Sequence, residues 1–210
     1  MSQTGPSALE LAERLAERLC HDISSAAQAL TSGVDLLAEA RSEAERDEAA
    51  ALIRDALEAQ KFKLSYGRHA YGAGAATDSA ELRAMATKLF ADIRPSLDWA
   101  VAAPALGPAG SRALLLLLQI SADAMAAGGT VRVTSAGDGS WVAVDLQGPR
   151  LMLKDEVRAG LAGEPFAAGL GGRWIQGAYL ASLAVAACGR IETGVDEPAG
   201  SIKVILASGA

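Results

Sequence analysis

No proline interrupts the chain from Ser7 to Tyr66, and Gly33 is the single glycine there, so this stretch has little alternative to helix. Ser7 and Glu10, three residues apart, have the spacing of a capping box at its start. Leu11, Leu15, Leu19, Ile23, Leu30, Val34 and Leu37 then recur at helical steps. They predict one apolar stripe along a helix of about 35 residues, roughly 50 Å long. Between Arg41 and Glu48 the chain is mostly charged, and continuing the stripe's phase would land on Arg54, Asp55 and Glu58. The apolar positions are instead Ile53, Leu57 and Leu64. That break, with a second capping-box pair at Ser42 and Glu45, predicts two antiparallel helices. A lone hairpin cannot bury both apolar edges, so a homodimer that closes a four-helix bundle is expected.

The hairpin ends in Gly72-Ala-Gly-Ala-Ala-Thr77, a linker composition, and Asp78 with Glu81 reads as a new helix N-cap. The expected division is a helical hairpin over residues 1–75 and a second domain over 76–210. In the second part, 79–93 and 110–127 read as helices, followed by strand-like segments at 97–101, 130–135 and 140–146. Ala136-Gly-Asp-Gly139 has hairpin-turn chemistry. Gly169-Leu-Gly-Gly172 precedes a helix from about Arg173 to Cys188, for which Gly189 is the expected left-handed stop. Strands at 190–193 and 201–207 close the chain. The predicted class is α+β, with helices on one face of a mixed or antiparallel sheet.

The 210 residues are 50% hydrophobic but only 4% aromatic, and the net charge of -6 disfavours a general nucleic-acid or anionic-membrane surface. The longest aliphatic run, Ala113–Leu118, is far short of the roughly 20 residues of a membrane-spanning helix. The N-terminus lacks a basic-then-apolar signal. A cytoplasmic protein is expected. Cys20 and Cys188 form no CxxC or His-rich cluster and read most simply as small buried hydrophobes, so no intrinsic metal site is expected.

His21 lies two positions from both Leu19 and Ile23, which turns it away from the stripe toward solvent. Glu17, Arg18, Ser24 and Ser25 are its helical neighbours, and Asp22 follows it directly. His69, near the end of the second helix, reads as an ordinary helix residue.

His21-Asp-Ile-Ser-Ser-Ala in a long helix, then a hairpin, then an α+β domain with a Gly-Leu-Gly-Gly turn, resembles the layout of two-component histidine kinases. In detail the chain resembles the ChpT-type histidine phosphotransferases of bacterial phosphorelays, from about Leu11 to Leu206. Glu17-Arg-Leu-Cys-His-Asp22 is similar to that family's phosphoacceptor box. Arg94-Pro-Ser-Leu-Asp-Trp99, Gly163-Glu-Pro, Gly169-Leu-Gly-Gly, Trp174-Ile-Gln and Ala178-Tyr-Leu match its remaining stretches in order. The resemblance implies that the second domain is a degenerate ATPase-like (Bergerat) α/β sandwich. It places Ile120 where kinases carry a magnesium-binding asparagine, and Leu146-Gln-Gly-Pro-Arg150 where they carry an adenine-reading Asp-x-Gly-x-Gly box. ATP then has no specific anchor, the glycine-rich stretch reads better as a tight turn than as a phosphate cradle, and no cofactor is expected. Kinase boxes commonly have proline five residues after the histidine; Ala26 stands there, which implies a straighter helix.

The resemblance makes His21 the phosphoacceptor and Asp22 its supporting carboxylate, or else a solvated helix residue. Imidazole ordinarily titrates near about 6.5, so a ring nitrogen is available to attack an aspartyl phosphate. The Mg²⁺ for transfer would come from the partner's receiver domain. Lys61, Ser65 and Arg68 are the expected neighbours of His21 on the second helix. The implied partners are the receiver domain of a hybrid histidine kinase upstream, and response regulators of the CtrA and CpdR kind downstream. Two other classes stay open: an atypical ATP-dependent histidine kinase, and a non-catalytic dimeric adaptor that holds receivers.

Overall fold

The computed structural model describes residues 5–72, 74, 77–166, 172–196 and 198–207. Helix α1, Ala8–Glu39, starts on a complete capping box: the Glu10 N–H donates to Ser7 Oγ at 3.3 Å and the Ser7 N–H donates to the Glu10 carboxylate at 2.8 Å. Those bonds hold the Glu10 carboxyl below the usual carboxylate range. The helix passes through Ala26 without interruption. Helix α2, Glu43–Tyr71, returns antiparallel to it. Only half of the second capping box forms. Ser42 Oγ accepts the Glu45 N–H at 3.2 Å, while the Glu45 carboxylate takes the N–H of Arg41, at 2.6 Å, instead of that of Ser42. The helices approach closely where Gly33 faces Ile53; a Cβ on Gly33 would sit 2.6 Å from Ile53 Cγ1.

The rest is a mixed sheet with helices against one face. Helix α3 spans Ser79–Phe90, strand β1 Pro95–Ala100, helix α4 Pro108–Ala124, β2 Gly129–Ser135 and β3 Trp141–Gln147. Helix α5 spans Asp155–Leu161, a 3-10 turn Gly172–Trp174 leads into α6, Ile175–Ala186, and β4, Arg190–Asp196, and β5, Ala199–Ile205, end the fold. The strand order is β1-β2-β3-β5-β4, with β1 and β2 parallel and every other pair antiparallel. Val131, Val133, Val142, Val144, Ile202 and Val204 alternate onto the helix-covered face. Leu114 to Leu118 of α4 are buried all round, because the sheet lies on one side of this helix and α2 and α6 on the other.

The sequence-based expectation of mixed α+β architecture therefore holds, with three differences of detail. Helix α5 was not anticipated, since seven residues carry too little periodicity to be read. The left-handed stop after α6 is Cys188, with φ 51°, rather than Gly189. Gly189 is needed for another reason: a side chain there would run into the carbonyl oxygen of Ile205. Both cysteines are exposed rather than buried, because Cys20 lies on the outer side of α1 and Cys188 in the turn before β4. Ala73, Ala75 and Ala76 of the expected linker and residues 169–171 of the glycine-rich turn lie outside the described residues.

Helix α2 is rooted in the second layer. Tyr66 is buried and its hydroxyl donates to the Leu115 carbonyl at 2.8 Å. The Tyr71 hydroxyl donates to Gln119 Oε1 at 3.0 Å, and Tyr179 donates to the Tyr71 carbonyl, also at 3.0 Å. That last bond satisfies one of the carbonyls that a helix C-terminus leaves without an intrahelical partner. Tyr71 and Tyr179 meet edge to face at 5.1 Å. Away from this root the hairpin is thinly packed. Leu19, Ile23, Val34, Leu36, Leu37, Leu52, Leu57 and Leu64 are all exposed in the single chain.

Candidate functional site

His21 projects from the middle of α1 with 72% of its side chain exposed, as the stripe geometry predicts. Its Nδ1 lies 3.5 Å from Asp22 Oδ1, and the other Asp22 oxygen lies 3.7 Å from Arg18 Nε. The Ser25 hydroxyl donates back to the His21 carbonyl at 3.0 Å. Arg18 is the enclosed member of this row, with a side chain only 17% exposed. In the sequence Arg18 is one helical neighbour of His21 among several, and no local pattern marks it as enclosed.

The register at Gly33 and Ile53, carried back along the hairpin, sets His21 level with Ser65. Lys61 is occupied with Glu58, at 2.8 Å on an exposed face. Between α1, α2 and α4 lies a cavity of about 260 Å³, where Arg18 and Asp22 meet Lys63, Gly67 and Tyr71 from α2 and Asp123 from α4. Burial pushes the Tyr71 phenol above its ordinary value; Asp22 and Asp123 add to the shift while Arg18 opposes it.

The 3-10 turn braces the same part of α1. The Gly172 N–H donates to Glu17 Oε2 at 3.1 Å, and a Cβ on Gly172 would sit 2.8 Å from the Arg18 backbone nitrogen. No spacing rule exposes this contact, since the partners are 155 residues apart.

Of the positions compared with a nucleotide site, Ile120 and Leu146 are buried, whereas Gln147, Pro149 and Arg150 are exposed. Ile120 is buried in α4, and the void it shares with Val157, Trp174 and Gln176 measures about 10 Å³. Leu146 belongs to the core, and strand alternation turns Asp145 onto the opposite, open face of the sheet, level with Arg132 of β2. Among the described residues, no group of three or more His, Cys, Asp or Glu side chains is arranged to hold a metal ion. No described helix is long and apolar enough to cross a membrane.

A long helical hairpin that carries an exposed histidine, rooted in an α/β layer, defines a class that comparison with known proteins makes specific. Residues 79–199 match the family described as the histidine phosphotransferase C-terminal domain, and the chain belongs to that family. It is 32% identical over 135 residues to the protein phosphotransferase ChpT of Brucella abortus (strain 2308), an alignment covering 62% of this chain. The chain spans 63% of the length of that curated relative. Over 97% of this chain and 100% of the other, the fold matches the 1.7 Å structure of a bacterial phosphotransferase, with a TM-score of 0.82 and 25% identity.

Proposed function

We propose that this chain is a histidine phosphotransferase of the ChpT kind, working in a bacterial phosphorelay. His21 takes a phosphoryl group from the receiver aspartate of a hybrid histidine kinase and passes it to the receiver aspartates of response regulators of the CtrA and CpdR kind. The observation that carries this reading is the setting of His21. Its imidazole stands clear of the surface halfway along a long helix, with a carboxylate beside Nδ1, in a chain of this family.

The chemistry follows from that geometry. With its proton on Nδ1, the ring presents the Nε2 lone pair to solvent. Nε2 attacks the phosphorus of the partner's aspartyl phosphate; the N–P bond forms as the P–O bond breaks, and the electron pair leaves with the partner's carboxylate. The ring gains positive charge as this happens, and Asp22 is placed to stabilise it. Transfer onward is the same step reversed with a second receiver. Mg²⁺ belongs to the receiver's own acidic pocket, so this chain supplies position and the nucleophile.

The exposed leucines, Ile23 and Val34 of the hairpin support a homodimer in which a second copy completes a four-helix bundle. The test is transfer from a labelled phospho-receiver to the protein, run beside His21→Ala and beside labelled ATP alone. Acid-labile, base-stable label on the wild type only, with none taken from ATP, is the expected result. Label taken directly from ATP would identify an atypical histidine kinase, and none from several receivers would identify a receiver-binding adaptor.

A further inference from the structure

We infer that Arg18 positions the phosphoacceptor: it holds Asp22, and through Asp22 the ring of His21, while the α/β layer holds the helical turn that carries Arg18. This rests on the reading of His21 as phosphoacceptor. Three residues in a row along α1 form the chain of contact. Arg18 Nε reaches one oxygen of Asp22 at 3.7 Å, and the other oxygen reaches His21 Nδ1 at 3.5 Å. Exposure falls from 72% at His21 to 35% at Asp22 and 17% at Arg18, so the row runs from solvent into the cavity between hairpin and α/β layer.

A half-exposed aspartate held by one contact keeps most of its rotamer freedom, and water competes for both oxygens. A guanidinium on one oxygen leaves the other with a preferred direction, toward Nδ1. That direction decides which ring nitrogen keeps the proton. With Nδ1–H donating to Asp22, Nε2 is the free nucleophile; with the proton on Nε2, the exposed nitrogen cannot attack. Arginine suits this better than lysine, since its planar fork loses less freedom per contact made. The support behind Arg18 comes from the second layer: Gly172 lies against the Arg18 backbone, its N–H holds Glu17, and Asp123 of α4 lines the same cavity.

The test uses the full chain with ¹⁵N-labelled histidine, whose two residues, His21 and His69, are assigned with His21→Ala. The variants are Arg18→Met, Arg18→Lys, Asp22→Asn and the Arg18→Met/Asp22→Asn double. Two quantities are read: the tautomer ratio of His21 in the unphosphorylated protein, and the initial rate of phosphoryl uptake from a phospho-receiver. Loss of an orienting partner costs about 10- to 100-fold. Arg18→Met is therefore expected to lose about 10-fold in rate and Asp22→Asn more, up to about 100-fold, with Arg18→Lys between Arg18→Met and wild type. The double variant should be no slower than Asp22→Asn, because Arg18 acts only through Asp22. Both single losses should shift His21 toward the Nε2–H tautomer. A wild-type tautomer ratio in Arg18→Met, or rate losses that multiply in the double variant, overturns the inference. If the wild type takes no phosphate, the phosphotransferase reading fails, and the tautomer ratio still decides whether Arg18 sets the ring.

Discussion

Gly172→Ala is the perturbation that reads most directly how far the α/β layer supports α1. A methyl group there would lie 2.8 Å from the Arg18 nitrogen and closer still to the Arg14 carbonyl, and ordinary contact begins at 3.4 Å. Both obstacles are backbone, so neither can rotate away, and α1 has to move off the 3-10 turn. Overpacking of this kind costs about 1–3 kcal/mol. Displacing the Gly172 N–H from the Glu17 carboxylate, which is half-exposed, adds about 1 kcal/mol. For a chain of this size a total of about 2–4 kcal/mol lowers Tm by roughly 5–15 °C. Gly67→Ala is the matched control, because nothing lies within 4 Å of the added methyl and the site is inside α2. It should gain about 0.5–1 kcal/mol from helix propensity alone. The pair is compared by urea and thermal unfolding at equal concentration. Gly172→Ala as stable as wild type would show that the turn does not press on α1, and the bracing described above would be wrong.

Other predictions concern the buried polar groups and the hairpin edge. Burial raises the Tyr66 phenol above its ordinary value near 10.0, so the neutral form belongs to the fold; its contribution is complete below that pH and is lost as pH rises through the higher folded value. Urea titrations should therefore show stability falling above about pH 10, and a shallower fall in Tyr66→Phe, which at neutral pH costs about 1 kcal/mol for the bond to Leu115. An alkaline limb unchanged in Tyr66→Phe would refute this. Gln176 is 1% exposed and its amide has no partner among the described residues. Gln176→Met should raise stability by about 1–3 kcal/mol, and a lower Tm would show that the amide is satisfied, for example by a water in the adjoining void. Val34→Glu places a charge on the exposed apolar edge of the hairpin and should convert a dimer to monomer in sedimentation. A monomeric wild type would remove the four-helix bundle from the proposal.

What the sequence revealed and what it hid follow one physical line. Periodicity and caps are local, so α1, α2 and their turn near Ser42 were legible, as was the outward direction of His21, two residues from stripe positions on either side. The β2–β3 hairpin was legible for the same reason: Ala136-Gly-Asp-Gly139 turns with Gly139 at φ +72° and Asp138 accepting the Ser140 N–H. The bracing of α1 by Gly172 and the rooting of α2 by three tyrosines were not legible, because each joins residues far apart in the chain. The exposed cysteines mark the limit of composition as a guide. A residue type that is usually buried says little about one position until the neighbouring elements are known.

The tyrosine root of α2 has a kinetic meaning. Tyr66, Tyr71 and Tyr179 fasten the hairpin to α4 and α6 through three hydrogen bonds and an edge-to-face ring pair, so the angle between helices and sheet is set when the chain folds. Any protein that docked across both layers would meet a surface whose two halves are already registered. It would lose no orientational entropy in bringing them together, and that saving would appear in its association rate.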